Sequence, residues 1–361
     1  MNYIIKITDG CNMRCRYCCV GDKTEYGIIS EEQLYNNLVF VAENTIAQNE
    51  NSLNIIFHGG EPTLLNPDVY RNVLKNITEK YPDIKFFWKM QTNGLSIWEK
   101  FLDLFEDYDF SIGVSLDGFS EHHDSIRYDC GGNPTYDRII ENIFSMQKRK
   151  IPVSALMVIT AGLEHDYTFL DFFQKHDIPI KINPLIECGE AEKEKEIWLE
   201  SGEYADYMIG VFEYMITHDI TIDIQPLNSI FYKLINPSCM SECTFSDDCF
   251  MRFVAIDYHG NLYPCGRFCD IHMFCQGNAD NQTLPFRVVR PEIPESAKCT
   301  DCKYKCVCNG GCPFMVWNSN GGGNPMCMDY QKIFGYLMND GVALMKKRLL
   351  ERREQLYNEN L

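Results

Sequence analysis

The chain has 361 residues, 45% of them hydrophobic, and a formal net charge of −18. That length can bury one large core or two smaller ones, and the acidic balance argues against nucleic acid as a partner, because phosphate binding needs basic surface. Eighteen cysteines is far above ordinary usage. With no signal peptide in the opening Met-Asn-Tyr-Ile-Ile-Lys and no apolar run near the ~18 residues of a membrane span, the expected setting is the cytoplasm without membrane association, where many cysteines point to metal rather than disulfides.

From residue 1 to about 185, short apolar runs alternate with helical periodicity. Strands are predicted at Tyr3–Thr8, Leu53–Phe57, Ile84–Gln91, Phe110–Leu116, Val153–Ile159 and Ile178–Asn183. Helices are predicted near 31–48, 67–80, 97–106, 135–150, 165–176 and 204–217, with Ser30 and Gln33 at capping-box spacing before the first. Six β-α pairs predict a parallel sheet with right-handed crossovers, and functional residues at the carboxyl ends of its strands. Glu187–Glu200 is charged and reads as a surface connection. After Pro237 the sequence becomes cysteine-rich and poorly periodic, and from Asp329 to about Leu356 a C-terminal helix is predicted.

Behind the first strand lies Cys11-Asn-Met-Arg-Cys15-Arg-Tyr-Cys18. Three thiolates on one short loop leave one iron of a four-iron cubane open, free to chelate a small molecule and pass it an electron. The same residues also follow an i, i+4, i+7 stripe. A regular helix would spread them over roughly 10 Å, too far for the sulfurs to converge. Gly10 and the apolar run before it also place the motif at a strand end.

This motif, with Tyr17 before the third cysteine, resembles that of the radical S-adenosylmethionine (radical SAM) enzymes. Further matches follow in order. His58-Gly59-Gly60-Glu61-Pro62 ends the second strand, and in the family such a segment holds the methionine amino group of SAM. Glycines suit close backbone approach, and the Glu61 carboxylate suits an ammonium. Gln91-Thr92-Asn93-Gly94 and Ser115-Leu-Asp117-Gly118 end the third and fourth strands, where the resemblance implies contacts with the ribose and methionine parts. Arg127, in His123-Asp124-Ser-Ile-Arg127, would pair with the SAM carboxylate. His58 is a candidate catalytic residue facing the substrate, or packs beneath its loop. The resemblance implies a partial (β/α)6 TIM-type barrel over residues 1–220, then a connecting segment over 221–238.

The spacings Cys249-x10-Gly260-x4-Cys265 and Cys299-x2-Cys302-x5-Cys308-x3-Cys312, ending in Cys327, match the seven-cysteine pattern of the SPASM domain, an auxiliary-cluster extension of many radical SAM enzymes. Residues 239–328 would form it, and 329–361 the C-terminal helix. By that resemblance Cys243, Cys249, Cys265 and Cys312 hold one auxiliary [4Fe-4S] cluster, and Cys299, Cys302, Cys308 and Cys327 the other, three clusters in all. Cys239 competes with Cys243, and Cys306 with Cys308. Four-cysteine zinc sites use similar spacing, and visible absorption with iron content separates the two. Cys19, Cys130, Cys188, Cys269 and Cys275 read as buried fillers or loop residues.

The resemblance implies an enzyme in which SAM chelates the open iron, is split by one electron, and yields a 5′-deoxyadenosyl radical that takes hydrogen from an unactivated carbon. It further implies an electron donor such as flavodoxin or ferredoxin and low oxygen. SPASM enzymes mostly act on peptides or proteins. One reading is a maturase installing a thioether, C–C or similar crosslink in a peptide, served by a separate peptide-recognition protein or by direct binding. Another is an anaerobic sulfatase maturase oxidising Cys or Ser to formylglycine. Three departures weigh against the second: Val20, His58 and Gly266 stand where those maturases have tyrosine, glutamine and the aspartate base. Asp270 lies near the last position at the wrong spacing. A third reading, of another class, is a non-catalytic iron–sulfur or zinc scaffold that binds peptide.

Overall fold

The computed structural model describes residues 1–21, 26–238, 242–293 and 296–359, with side chains described to residue 351. In chain order its first half contains β1 (Asn2–Lys6), β2 (Met13–Cys15), α1 (Glu31–Ala47), β3 (Ser52–His58), α2 (Pro67–Lys80), β4 (Lys85–Thr92), α3 (Glu99–Asp107), β5 (Ser111–Ser115), α4 (Ser120–Ile126), β6 (Arg127–Asp129) and α5 (Tyr136–Lys148). There follow β7 (Val153–Ile159), α6 (Phe169–Lys175), β8 (Ile180–Pro184), α7 (Glu203–Thr217), β9 (Ile224–Gln225) and α8 (Leu227–Ile235). The last part holds α9 (Cys249–Arg252), β10 (Phe253–Ile256), β11 (Leu262–Tyr263), α10 (Lys305–Cys308), α11 (Pro313–Asn318), α12 (Cys327–Tyr336) and α13 (Val342–Glu359). All six expected strand–helix pairs are present. The predicted C-terminal helix is two, α12 and α13, joined by a π-helical turn at Leu337–Gly341.

The chain divides into two compact units. The first comprises Met1–Leu156, Glu187–Glu194 and Asp248–Glu292. Its sheet runs in the order β11-β10-β1-β3-β4-β5-β7, parallel except for the terminal β10–β11 pair. Within the cysteine-rich stretch the sequence reading shows no strand, yet Phe253-Val-Ala-Ile256 pairs with β1 in the register Asn2↔Phe253 to Ile5↔Ile256. A four-residue run is too short for periodicity to reveal.

Local chemistry explains the helix starts. Ser30 Oγ accepts from Gln33 N at 3.0 Å at the head of α1. The Gln33 side chain does not close the capping box but donates to Asn37 Oδ1. Asn66 caps α2, and Pro67 occupies its first turn, where no amide hydrogen is needed. Strand β3 alternates exposed and buried positions, and its inward Phe57 stacks on Trp88 of β4 and meets Tyr70 of α2 edge-on. Phe101, Phe105 and Phe110 extend this aromatic core, each pair adding ~1 kcal/mol beyond area burial.

The Glu187–Glu194 segment is not the plain surface connection expected from its charge. Cys188 and Ala191 are buried, and Arg16 of the cysteine loop grips Glu194 with contacts of 2.5 and 2.8 Å. The second unit comprises Met157–Ile186, Lys195–Asp247 and Ile293–Leu361. In it β8 pairs in parallel with β9, and α12 packs on α7. Gly202 caps α7 without a side chain, so Asp329 of α12 takes up the orphan amides of Gly202 and Ala205 at 3.1 and 2.9 Å. Among the described residues no helix is long and apolar enough to cross a membrane.

Candidate active site

The cysteine loop is not helical. Met13–Cys15 forms β2, antiparallel to β6, with Cys15 opposite Arg127. This excludes the i, i+4, i+7 stripe. The three thiols interact with one another and are largely removed from water: burial pushes Cys11 up to about 12, Cys15 up to about 11, and Cys18 upward. Each therefore holds its proton until a metal displaces it. Two side-chain donors face the sulfurs, Asn93 Nδ2 at 3.6 Å from Cys11 Sγ and an Arg127 Nη at 3.7 Å from Cys15 Sγ, and the Met13 amide donates to Cys11 Sγ at 3.4 Å. Three thiols within one loop, met by N–H donors, fit an iron–sulfur cluster that keeps one iron unligated by protein.

The glycines of the second motif bring backbone against this loop. Gly59 has φ +140°, and a Cβ there would lie 2.4 Å from Thr8 O; at Gly60 it would lie 2.1 Å from Gly10 O. The freed space allows Gly60 N and Glu61 N to donate to Thr8 O and Gly10 O at 2.7 and 2.8 Å. The Glu61 side chain does something other than expected. It is fully buried and accepts from Thr63 N, Thr63 Oγ1, Thr92 Oγ1 and Asn93 N at 2.6 to 3.0 Å. Three of these donors meet Oε1 and one meets Oε2, so Glu61 ties the ends of β3 and β4 together. Thr63, which the sequence reading passes over, supplies two of those bonds; its signal is only a local Glu-x-Thr turn.

Arg127 and Asp117 likewise spend their charges on each other. Arg127 Nε donates to Asp117 Oδ2 at 2.7 Å, the Tyr17 hydroxyl donates to the same oxygen, and the guanidinium lies 4.8 Å from the Tyr17 ring centroid. Asp117 is inaccessible to solvent and Arg127 is 5% exposed. Asp117 and Arg127 form a buried brace that seats Tyr17 and Cys15. Asn93 is similarly committed, donating to Asn12 Oδ1 and accepting from Leu95 N. Ser115 stays half-buried, accepting from Gln91 at 3.3 Å. His58 is exposed at the end of β3, its Nδ1 accepting from Gly59 N.

His123 supports the brace. Its Nδ1 accepts from Asp117 N at 3.2 Å, its Nε2 meets Thr135 Oγ1 at 3.1 Å, and burial pulls its pKa from 6.5 down to about 4. The unfolded chain takes up this proton near 6.5 and the folded chain only near 4, so stability falls as pH drops across that window. The loss approaches about 3 kcal/mol. Denaturant unfolding under anaerobic conditions checks this: His123→Gln should remove most of the difference between neutral and mildly acidic pH.

Near the carboxyl end of β1, Lys6 Nζ pairs with Asp9 at 2.8 Å and Asp270 at 2.5 Å. Asp270 is therefore engaged by a buried cation, while Gly266 packs toward Ile4. Of the remaining thiols, Cys19 and Cys130 are exposed, whereas Cys188 and Cys269 are buried.

In the second unit a cavity of about 130 Å³ is lined by Cys299, Cys302, Cys308 and Cys327. Gln331 Nε2 donates to Cys327 Sγ at 3.2 Å, and burial raises Cys308 to about 12. Cys306 is exposed and does not line the cavity. Four thiols lining one partly open cavity suit the second auxiliary cluster. Of the other expected set, Cys243 and Cys312 belong to the second unit and Cys249 and Cys265 to the first. Cys239 lies outside the described residues.

Comparison with known proteins follows these features. Residues 5–173 match the radical SAM superfamily. The cysteine-type anaerobic sulfatase-maturating enzyme of Clostridium novyi (strain NT) is 25% identical over 324 residues, covering 84% of this chain and 85% of that one. Among solved structures, native anSMEcpe with bound AdoMet and Cp18Cys peptide superposes with TM-score 0.79 at 20% identity, covering 96% and 99% of the two chains. Streptococcus suis SuiB bound to precursor peptide SuiA gives TM-score 0.62 at 17% identity, with 90% and 73% coverage. The fold is thus the TIM-type barrel architecture of these proteins, with a cysteine-rich C-terminal region.

Proposed function

We propose that this chain, an enzyme built on a radical SAM domain, is a maturase that removes hydrogen from a peptide substrate and installs a crosslink such as a thioether or C–C bond. The observation that carries the reading is the trio Cys11, Cys15 and Cys18, half-buried on one loop with Asn93 and Arg127 donating to sulfur. When bound there, a [4Fe-4S] cluster with S-adenosylmethionine supplies one-electron cleavage of a C–S bond and a carbon radical able to take an unactivated hydrogen.

The chain's own residues do the positioning. Gly59 and Gly60 bring the β3 end onto the cysteine loop, Glu61 ties that end to Thr92 and Asn93, and the Tyr17–Asp117–Arg127 brace fixes Cys15. In this reading Ser115, half-buried at the end of β5, would meet the cofactor. His58, exposed at the end of β3, would in this reading face the substrate. In this reading Cys299, Cys302, Cys308 and Cys327 hold one auxiliary cluster and Cys243, Cys249, Cys265 and Cys312 the other, both fully ligated and so suited to carrying electrons away. A flavodoxin- or ferredoxin-type donor and a separate peptide-recognition protein complete it.

Formylglycine formation is the second reading, favoured by the similarity to sulfatase-maturating enzymes along most of the chain. Against it stand Val20, His58 and Gly266, and the engagement of Asp270 by Lys6, which holds that carboxylate in an ion pair. Anaerobic incubation of the reduced protein with SAM and cysteine-containing peptides separates the two. A crosslinking maturase yields peptide lighter by two hydrogens, with sulfur retained and no reaction with hydrazide. A product that captures hydrazide through an aldehyde overturns the proposal in favour of formylglycine.

A further inference from the structure

The Glu187–Glu194 strap is joined to the cysteine loop at several points. Gly189 has φ +62°, and a Cβ there would lie 2.4 Å from Cys18 O and 2.8 Å from Cys19 O. Only glycine lets the strap backbone come this close. Glu190 N donates to Cys18 O at 2.9 Å, and Arg16 holds Glu194. These contacts set Cys188 beside Cys19, and the two thiols share a hydrogen bond. Cys19 is exposed and Cys188 is buried. Neither belongs to the three-thiol site or to the auxiliary sets.

We propose that Cys19 and Cys188 are a redox-active dithiol that closes to a disulfide with peroxide, tethering the cysteine loop to the strap. Disulfide closure needs Cα atoms within about 4.4–6.8 Å, and the close backbone approach of Gly189 to Cys18 O and Cys19 O draws the two cysteines toward that range. The Cys19 sulfur attacks the peroxide O–O bond, which breaks, leaving a sulfenic acid and one water. The Cys188 sulfur then displaces the sulfenic oxygen as a second water and forms the S–S bond. In sum two thiols lose two protons and two electrons, and one hydrogen peroxide becomes two waters. The tether spans the residue next to the third loop cysteine, so it holds that segment in register with the strap whether or not iron is bound.

The test uses the full chain, isolated anaerobically, treated with a small excess of hydrogen peroxide, alkylated in denaturant and digested with trypsin without reductant. The expected product is peptide 17–23 joined to peptide 182–193, two hydrogens lighter than their sum and released by dithiothreitol, with fragmentation placing the link on Cys19. Cys19→Ser and Cys188→Ser should each lose it, and Cys188→Ala serves should the serine disturb packing. Wild-type protein in which Cys188 is recovered alkylated, or a link to Cys18 that persists in Cys19→Ser, overturns the proposal.

Discussion

Replacing Cys15 by alanine abolishes reductive cleavage of SAM, lowering 5′-deoxyadenosine release by at least about a thousandfold. Two thiols cannot hold a cubane on this loop while leaving one iron open. Cys15 is also the member most tightly built into the fold: it sits opposite Arg127 in the β2–β6 pair and accepts an Arg127 N–H. The measurement is chromatography of 5′-deoxyadenosine from anaerobic, dithionite-reduced protein, alongside iron content. Loss of product with roughly a third of the iron missing is the expected pair of results. Full activity in the variant would show that catalysis does not pass through this loop, whereas a parent protein that releases no 5′-deoxyadenosine would return the non-catalytic scaffold reading.

Arg127→Ala is expected to destabilise the protein by about 3–5 kcal/mol, because it strands the Asp117 carboxylate in a site with no solvent access. The Tyr17 hydroxyl alone cannot neutralise that charge. Arg127→Lys should recover little, since an ammonium cannot donate to Asp117 and Cys15 while lying over the Tyr17 ring. Combining Arg127→Ala with Asp117→Ala should cost less than the single change, the sign of a buried charge left unpaired in the latter. Anaerobic denaturant unfolding of the four proteins measures this. Equal stability of Arg127→Ala and the parent would contradict the buried brace.

Much of the architecture was readable from local pattern. The six strand–helix pairs follow from apolar periodicity and from a cap such as Ser30, whose chemistry acts over three or four residues. Strands β2 and β6 were not readable, being three residues each and paired with partners more than a hundred positions away. The same holds for β10. Motif order found the residues of the site but not what they do. Glu61, Asp117 and Arg127 were expected to meet a ligand from their motifs, and the folded chain adds the protein groups that each also meets. The outcome depended on Thr63, Thr92, Tyr17 and Cys15 arriving from other elements.

What the amino-acid order settled unaided is the donor chemistry: three cysteines within eight residues behind a strand, and clustered cysteines near the C-terminus, define metal-binding capacity because such ligands are neighbours along the chain. What required the folded molecule is the assignment of buried charge. A carboxylate or guanidinium removed from water must find its partner in the protein, and that partner is chosen by packing across distant segments. The same long-range packing, by laying Gly189 against the loop, places Cys188 next to Cys19, a pairing that no spacing in the chain announces.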